Sequence, residues 1–82
     1  HSDIAMMLSS LGQVYRHLSD YFQAIDYHDT SLAIFKQIYG DQPHLDIANN
    51  LNNLGHLYQA LDNYPKAINY LNASLAMFKQ IY

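Results

Sequence analysis

Five histidines are the side chains in this sequence best suited to acid–base or metal chemistry: His1, His17, His28, His44 and His56. A helical zinc site places two ligands at i and i+4 and completes the set with Cys or a carboxylate. No two of these histidines have that spacing, and the chain has no Cys and no Glu. His28 falls on an apolar stripe, which is typical of a hydrogen-bonded interior histidine. We therefore expect no catalytic residue, no metal and no cofactor.

A larger set of polar side chains recurs at spacings of three and four residues in two separate segments. Amides, hydroxyls and imidazoles both donate and accept hydrogen bonds, so a row of them suits the main chain of a bound peptide. An ordinary solvated helix face would carry polar residues too. Asn crowds the second segment although it is a poorer helix former than Glu or Lys, which favours binding. The two rows that share this helix face are Met6, Ser9, Gln13 and Arg16, then Asn49, Asn52, Asn53, His56 and Gln59, and all but Met6 are polar.

Both segments belong to an internal repeat. Aligning residues 1–39 with residues 44–82 gives 21 identical pairs among 39, and the copies end in SLAIFKQIY and SLAMFKQIY. Each copy has two apolar stripes with the period of an amphipathic helix, and we expect these stripes to be buried. The first stripe includes Ile4, Leu11 and Leu18. The pattern predicts an all-α fold of two helix-turn-helix units, with helices over roughly 3–17, 21–39, 46–60 and 64–82.

Residues between the stripes predict where helices start and stop. Ser19 or Asp20 can cap the second helix, and Asp62 or Asn63 the fourth, by accepting from free backbone N–H groups. Gly40 follows the second helix and suits a left-handed stop. The breaks therefore agree with the periodicity.

Small residues indicate how the two helices of a unit pack. Gly12 and Ala24 recur as Gly55 and Ala67 in the second copy. A glycine inside a helix costs up to about 1 kcal/mol, so its recurrence predicts a close approach between the helices.

These residues resemble a known family. LSSLGQVY and LNNLGHLY, each followed by an aromatic residue, Ala and Ile in DYFQAI and NYPKAI, are similar to the tetratricopeptide repeat. The usual period is about 34 residues, whereas these copies lie 43 apart, and the HSDIA and HLDIA openings with LNNLG are similar to the kinesin-light-chain branch. The resemblance implies an α-solenoid, with one repeat over residues 1–43 and a second over 44–82, as a fragment of a longer array.

The resemblance also implies a function. First helices of such repeats line a concave groove, so the resemblance implies that the two rows from Met6 to Arg16 and from Asn49 to Gln59 are the binding residues. They would bind an extended or helical peptide of a partner protein. The alternative is a structural spacer or self-assembly element that acts through repeat-to-repeat stacking without a peptide ligand.

Stacking has its own predicted residues. Phe35 and Ile38 should pack on the first helix of the following copy, whereas Phe78 and Ile81 have no following copy in this chain. Because repeat arrays need covered ends, we expect head-to-tail association into a homo-oligomer.

The composition of the chain disfavours two kinds of partner, nucleic acid and membrane. The chain is 50% hydrophobic, and its net charge of -3 includes only four scattered Lys and Arg residues, which disfavours nucleic acid. No apolar run approaches the roughly twenty residues of a membrane span. The absence of Cys suggests a cytoplasmic origin.

Overall fold

The computed structural model describes residues 1–82 and contains four α-helices. There are no strands, so the predicted all-α fold of two helix-turn-helix units is confirmed. None of the helices is both long and apolar enough to cross a bilayer. The helices are α1 (Ser2–His17), α2 (Tyr21–Tyr39), α3 (Leu45–Ala60) and α4 (Tyr64–Ile81), each packed on the next.

Helices α2 and α4 begin at predicted capping residues, and the structure shows which of the two candidates caps each helix. Asp20 and Asn63 each accept a hydrogen bond from the backbone N–H three residues later, at 3.3 Å and 3.4 Å. The other candidates, Ser19 and Asp62, adopt left-handed backbone conformations with φ of 62° and 61°. Both helix pairs therefore turn through the same short loop.

The core lies where α2 meets α3, with α1 and α4 on the outside. Its largest fully buried side chains are Phe35 from α2 and Ile47, Leu54 and Leu57 from α3. Apolar burial on this scale is worth roughly 1.5–3 kcal/mol per large side chain, so these residues stabilise the packing of α2 on α3. The whole cluster is Ala5, Ala24, Ile25, Leu32, Phe35, Ile47, Leu51, Leu54 and Leu57.

The predicted close approach within each helix pair is present. A Cβ on Gly12 would lie 2.7 Å from Cδ2 and Nε2 of His28, and a Cβ on Gly55 would lie 2.6 Å from Cγ of Leu71. Real Cβ atoms do not come so near, because cores pack to crystal-like density. Only glycine permits these two contacts.

One sequence expectation is wrong. The stripe of Ile4, Leu11 and Leu18 on α1 was predicted to be buried, yet all three are exposed. Ile4 is 57% exposed, whereas its counterpart Ile47 on α3 is 2% exposed. The reason is that α2 covers the face of α3 that carries Ile47, while no helix of the chain covers the equivalent face of α1.

Candidate functional site

A cleft of about 200 Å³ lies between α1 and α3. Residues of α2 close it at the back, and most of its lining is amide or hydroxyl. The lining is Met6, Ser9 and Ser10 from α1, Phe35 from α2, and Asp46, Asn49, Asn50 and Asn53 from α3.

Four of the nine predicted binding residues line this cleft: Met6, Ser9, Asn49 and Asn53. Gln13 lies beside it and donates from Nε2 to Oδ1 of Asn53 at 3.3 Å, which ties α1 to α3. The other four predicted binding residues do not line the cleft. They are Arg16, Asn52, His56 and Gln59, of which Gln59 is exposed and the rest are half-buried.

Sequence reasoning missed two important lining residues of α3. Asp46 and Asn50 share one helix face with Asn53, at i, i+4 and i+7. The predicted row instead ran from Asn49 through Asn52 toward the end of α3. The same spacing rule, started at Asp46, would have found the face that α3 turns to the cleft.

The predicted stacking residues occupy different environments. Phe35 is buried in the core between α2 and α3, but Ile38 is exposed and contributes little to that contact. Phe78 and Ile81 are half-buried on α4. The exposed aliphatic side chains of α4 include Ile68 and Leu75, which the sequence prediction did not select.

A buried polar network forms the back wall of the cleft. Oδ1 of Asn50 accepts from Oγ of Ser9 at 2.8 Å and from Nδ1 of His28 at 3.0 Å. Its Nδ2 donates to Oγ of Ser31 at 3.1 Å, and that hydroxyl donates to the carbonyl of Ala5 at 2.6 Å. The network joins α1, α2 and α3, so it fixes both the side chain of Asn50 and the angle between the helices.

His28 is fully buried within this network. Because Asn50 Oδ1 can only accept, the ring proton sits on Nδ1, and Nε2 faces Gly12 without a hydrogen-bond partner. Burial lowers the pKa of His28 below its ordinary value, and Arg16 lowers it further, while the Asn50 bond and Asp29 act in the opposite direction. The imidazole is therefore neutral and structural, as expected of an interior histidine.

Asp46 is the only charged residue of the cleft, and its neighbours hold it in place. Its Oδ2 accepts from the hydroxyl of Tyr39 at 3.1 Å. The Tyr39 ring stacks on His44 at 3.7 Å between centroids. Nδ1 of His44 accepts from the backbone N–H of Asp46 at 3.1 Å and caps α3, a role that the sequence did not suggest.

The cleft presents hydrogen-bonding groups that are not arranged as a nucleophile with its base. Ser9 donates to Asn50 rather than to a general base, so it lacks the partner that activates a nucleophile. No three His, Cys, Asp or Glu side chains come close enough to hold a metal ion. What the cleft offers is a set of neutral donors and acceptors beside one carboxylate.

Comparison with known proteins agrees with this fold. No curated protein matches the chain. The tetratricopeptide repeat matches residues 3–80, which is nearly the whole chain. Repeats of this kind generally form non-catalytic scaffolds that bind other proteins. The chain belongs to the tetratricopeptide repeat family.

Proposed function

We propose that the chain binds an extended or short helical peptide segment of a partner protein in the cleft between α1 and α3. The observation that carries the proposal is the supply of unused polar groups there. Asn49 and Ser10 are exposed and make no side-chain hydrogen bond within the chain, and Asn53 uses only Oδ1. Such amides can bridge successive N–H and C=O groups of a main chain.

The negative charge of the cleft favours a bound segment that contains a basic residue. Asp46 contributes the only charge in the cleft, and one of its two oxygens has no hydrogen-bond partner. A Lys or Arg of the bound segment would pair with it, with a charge-assisted hydrogen bond. Arg16 lies outside the cleft, so a clamp for a terminal carboxylate is not supported.

The repeat division belongs to the same proposal. Residues 1–43 and 44–82 would be two repeats, each with one helix pair that contributes its first helix to the cleft. The 43-residue spacing supports a place in the kinesin-light-chain-like branch.

The test uses a library of random peptides displayed on phage and panned against the 82-residue chain. Enriched peptides should contain Lys or Arg, and Asn49→Ala or Asn53→Ala should weaken their binding about three- to tenfold, as expected for one lost hydrogen bond. Asn72→Ala on the exposed face of α4 is the matched control, since it has the same gain in helix propensity. Equal binding by all three variants would contradict a role for the cleft.

A second candidate function is head-to-tail self-association, and exposure of equivalent residues favours it. Ile25 on α2 is 7% exposed under α3, whereas its counterpart Ile68 on α4 is 56% exposed. The open surface of α4, defined by Ile68, Leu71 and Leu75, is here called the tail face. The head face is the open surface of α1, defined by Ile4, Met7, Leu11 and Val14.

The two faces are complementary because the chain already contains their contact. The tail face is equivalent to the α2 surface that packs on α3, and the head face is equivalent to the α3 surface that receives it. Light scattering from the chain across a wide concentration range should show a rising mean mass. A constant monomer mass would exclude self-association and leave the peptide-binding proposal standing.

A further inference from the structure

The contact between α2 and α3, here called the internal junction, has a polar pair at its centre. His28 on α2 and Asn50 on α3 are fully buried there, with Nδ1 and Oδ1 3.0 Å apart. Adding 43 to His28 and subtracting 43 from Asn50 gives the residues at the equivalent places on the open faces. These are Leu71 on the tail face and Met7 on the head face, and both are apolar.

We propose that a second copy of this chain covers the tail face, and that Leu71 of one copy packs on Met7 of the next at the centre of the new contact. This inference rests on self-association, the second proposed function, and adds which residues make the junction selective. Met7 is 68% exposed in the single chain, whereas Asn50 at its equivalent place is 2% exposed. Stacking would remove the Met7 side chain from water.

Leu71 and His28 are both positioned by close packing against a glycine of the neighbouring helix. His28 packs on Gly12, and Leu71 packs on Gly55, each within the distance that only glycine allows. The two side chains therefore leave their helices at equivalent places and reach the same point on a docked first helix. A leucine there needs an apolar partner, as the histidine needs an acceptor.

The rim of the internal junction supports a second copy as the occupant. Tyr39 stacks on His44 and donates to Asp46 at this rim. The equivalent residues at the two ends of the chain are Tyr82, His1 and Asp3, the same three types. Tyr82 is almost fully exposed and His1 and Asp3 are exposed, so all three are free to form this rim again between two copies.

Central mismatches would disfavour other pairings. A Leu71-type face docked on Asn50 removes the hydrogen bond from His28 to Asn50 Oδ1 and leaves only the bond from Ser9. A His28-type face docked on Met7 buries the Nδ1–H without an acceptor, and a buried unpaired donor weakens association by about tenfold or more. The internal junction and the contact between copies therefore cannot exchange partners freely, which keeps the stacking in one register.

The experiment exchanges the central pair in the 82-residue chain and measures association by sedimentation equilibrium. Met7→Asn alone and Leu71→His alone should each weaken association about tenfold or more, because each leaves a buried polar group opposite an apolar one. The double variant recreates the His28–Asn50 chemistry, so it should recover most of the loss, as a positive coupling between the two sites. Both substitutions already occur at equivalent positions of the chain, so the helices accommodate them.

Phe22→Asn is the control. Phe22 is exposed, and so is its counterpart Pro65, which places it outside both faces. It should leave association unchanged, and circular dichroism should show equal helix content in all variants. A wild-type chain that is monomeric at every concentration would overturn self-association itself. An associating wild type with no effect of Met7→Asn and Leu71→His, or with no recovery in the double variant, would overturn only the central pairing.

Discussion

Lowering the pH from about 7.5 to about 5 should destabilise the fold through one side chain, His28. Its pKa in the folded chain is lowered below the ordinary value of 6.5, chiefly because the imidazole is buried. The unfolded chain therefore takes up a proton on His28 as the pH falls below about 6.5, while the folded chain stays neutral. Stability is complete above that pH and is lost as the pH falls toward the folded pKa.

The structure sets the size of the effect. Nε2 of His28 is buried against Gly12 and has no acceptor nearby, so protonation would bury both a charge and an unpaired N–H. If the folded imidazole stays neutral, the free energy of unfolding falls by at most about 1.4 kcal/mol per pH unit, or about 2 kcal/mol in total by pH 5. Against a typical stability of about 5–15 kcal/mol, this is easily measured.

Urea unfolding of His28→Leu against wild type isolates this contribution. Leucine occupies the equivalent place against Gly55 at Leu71, so it fits against Gly12, and the loss of the bond to Asn50 lowers stability by the same amount at every pH. The midpoints should be followed by circular dichroism at low micromolar concentration, since association would add stability of its own. Wild type should lose stability between pH 7 and pH 5, and His28→Leu should lose about 2 kcal/mol less. His17→Leu, at an exposed histidine, is the control and should behave as wild type. An equal pH dependence in His28→Leu and wild type would refute the argument.

Three further substitutions test the packing, each by its urea midpoint. Ser31→Ala should destabilise more than Ser74→Ala, by about 1–2 kcal/mol, because Ser31 donates to Ala5 and accepts from Asn50, whereas Ser74 makes a single hydrogen bond; equal losses would contradict a cooperative network. Gly12→Ala should cost about 1–3 kcal/mol despite its better helix propensity, because the new methyl would overlap the His28 ring; a stabilised variant would disprove the close approach. Asp20→Ala should cost about 1 kcal/mol by removing the cap of α2, and an unchanged midpoint would show that the cap contributes nothing.

Local chemistry made the helices predictable, since periodicity and caps act within a few residues of the chain. It could not show which apolar stripes are buried. Ile4 and Ile47 have the same residue type and the same neighbours in the repeat, yet one is exposed and the other is in the core. The difference comes from whether a second helix pair lies against that side, and this information is not local.

The cleft was predictable in part for the same reason. The polar rows of α1 and α3 have helical spacing, so Ser9, Asn49 and Asn53 could be found from sequence. The hydrogen bond between His28 and Asn50 could not be found from sequence, because it joins residues 22 apart on different helices. No periodic signal marks such a pair until the helices are assembled.

Asn50 decides how the cleft can be used. Its amide oxygen and nitrogen are both engaged, to His28, Ser9 and Ser31. A peptide that took these hydrogen bonds for itself would leave the buried Nδ1–H of His28 unpaired, at a cost of about 1–3 kcal/mol, which exceeds the net gain of about 1 kcal/mol from a new hydrogen bond. We therefore expect the free amide of Asn49 to bind the peptide main chain, while Asn50 keeps its internal hydrogen bonds and forms a rigid wall behind the peptide.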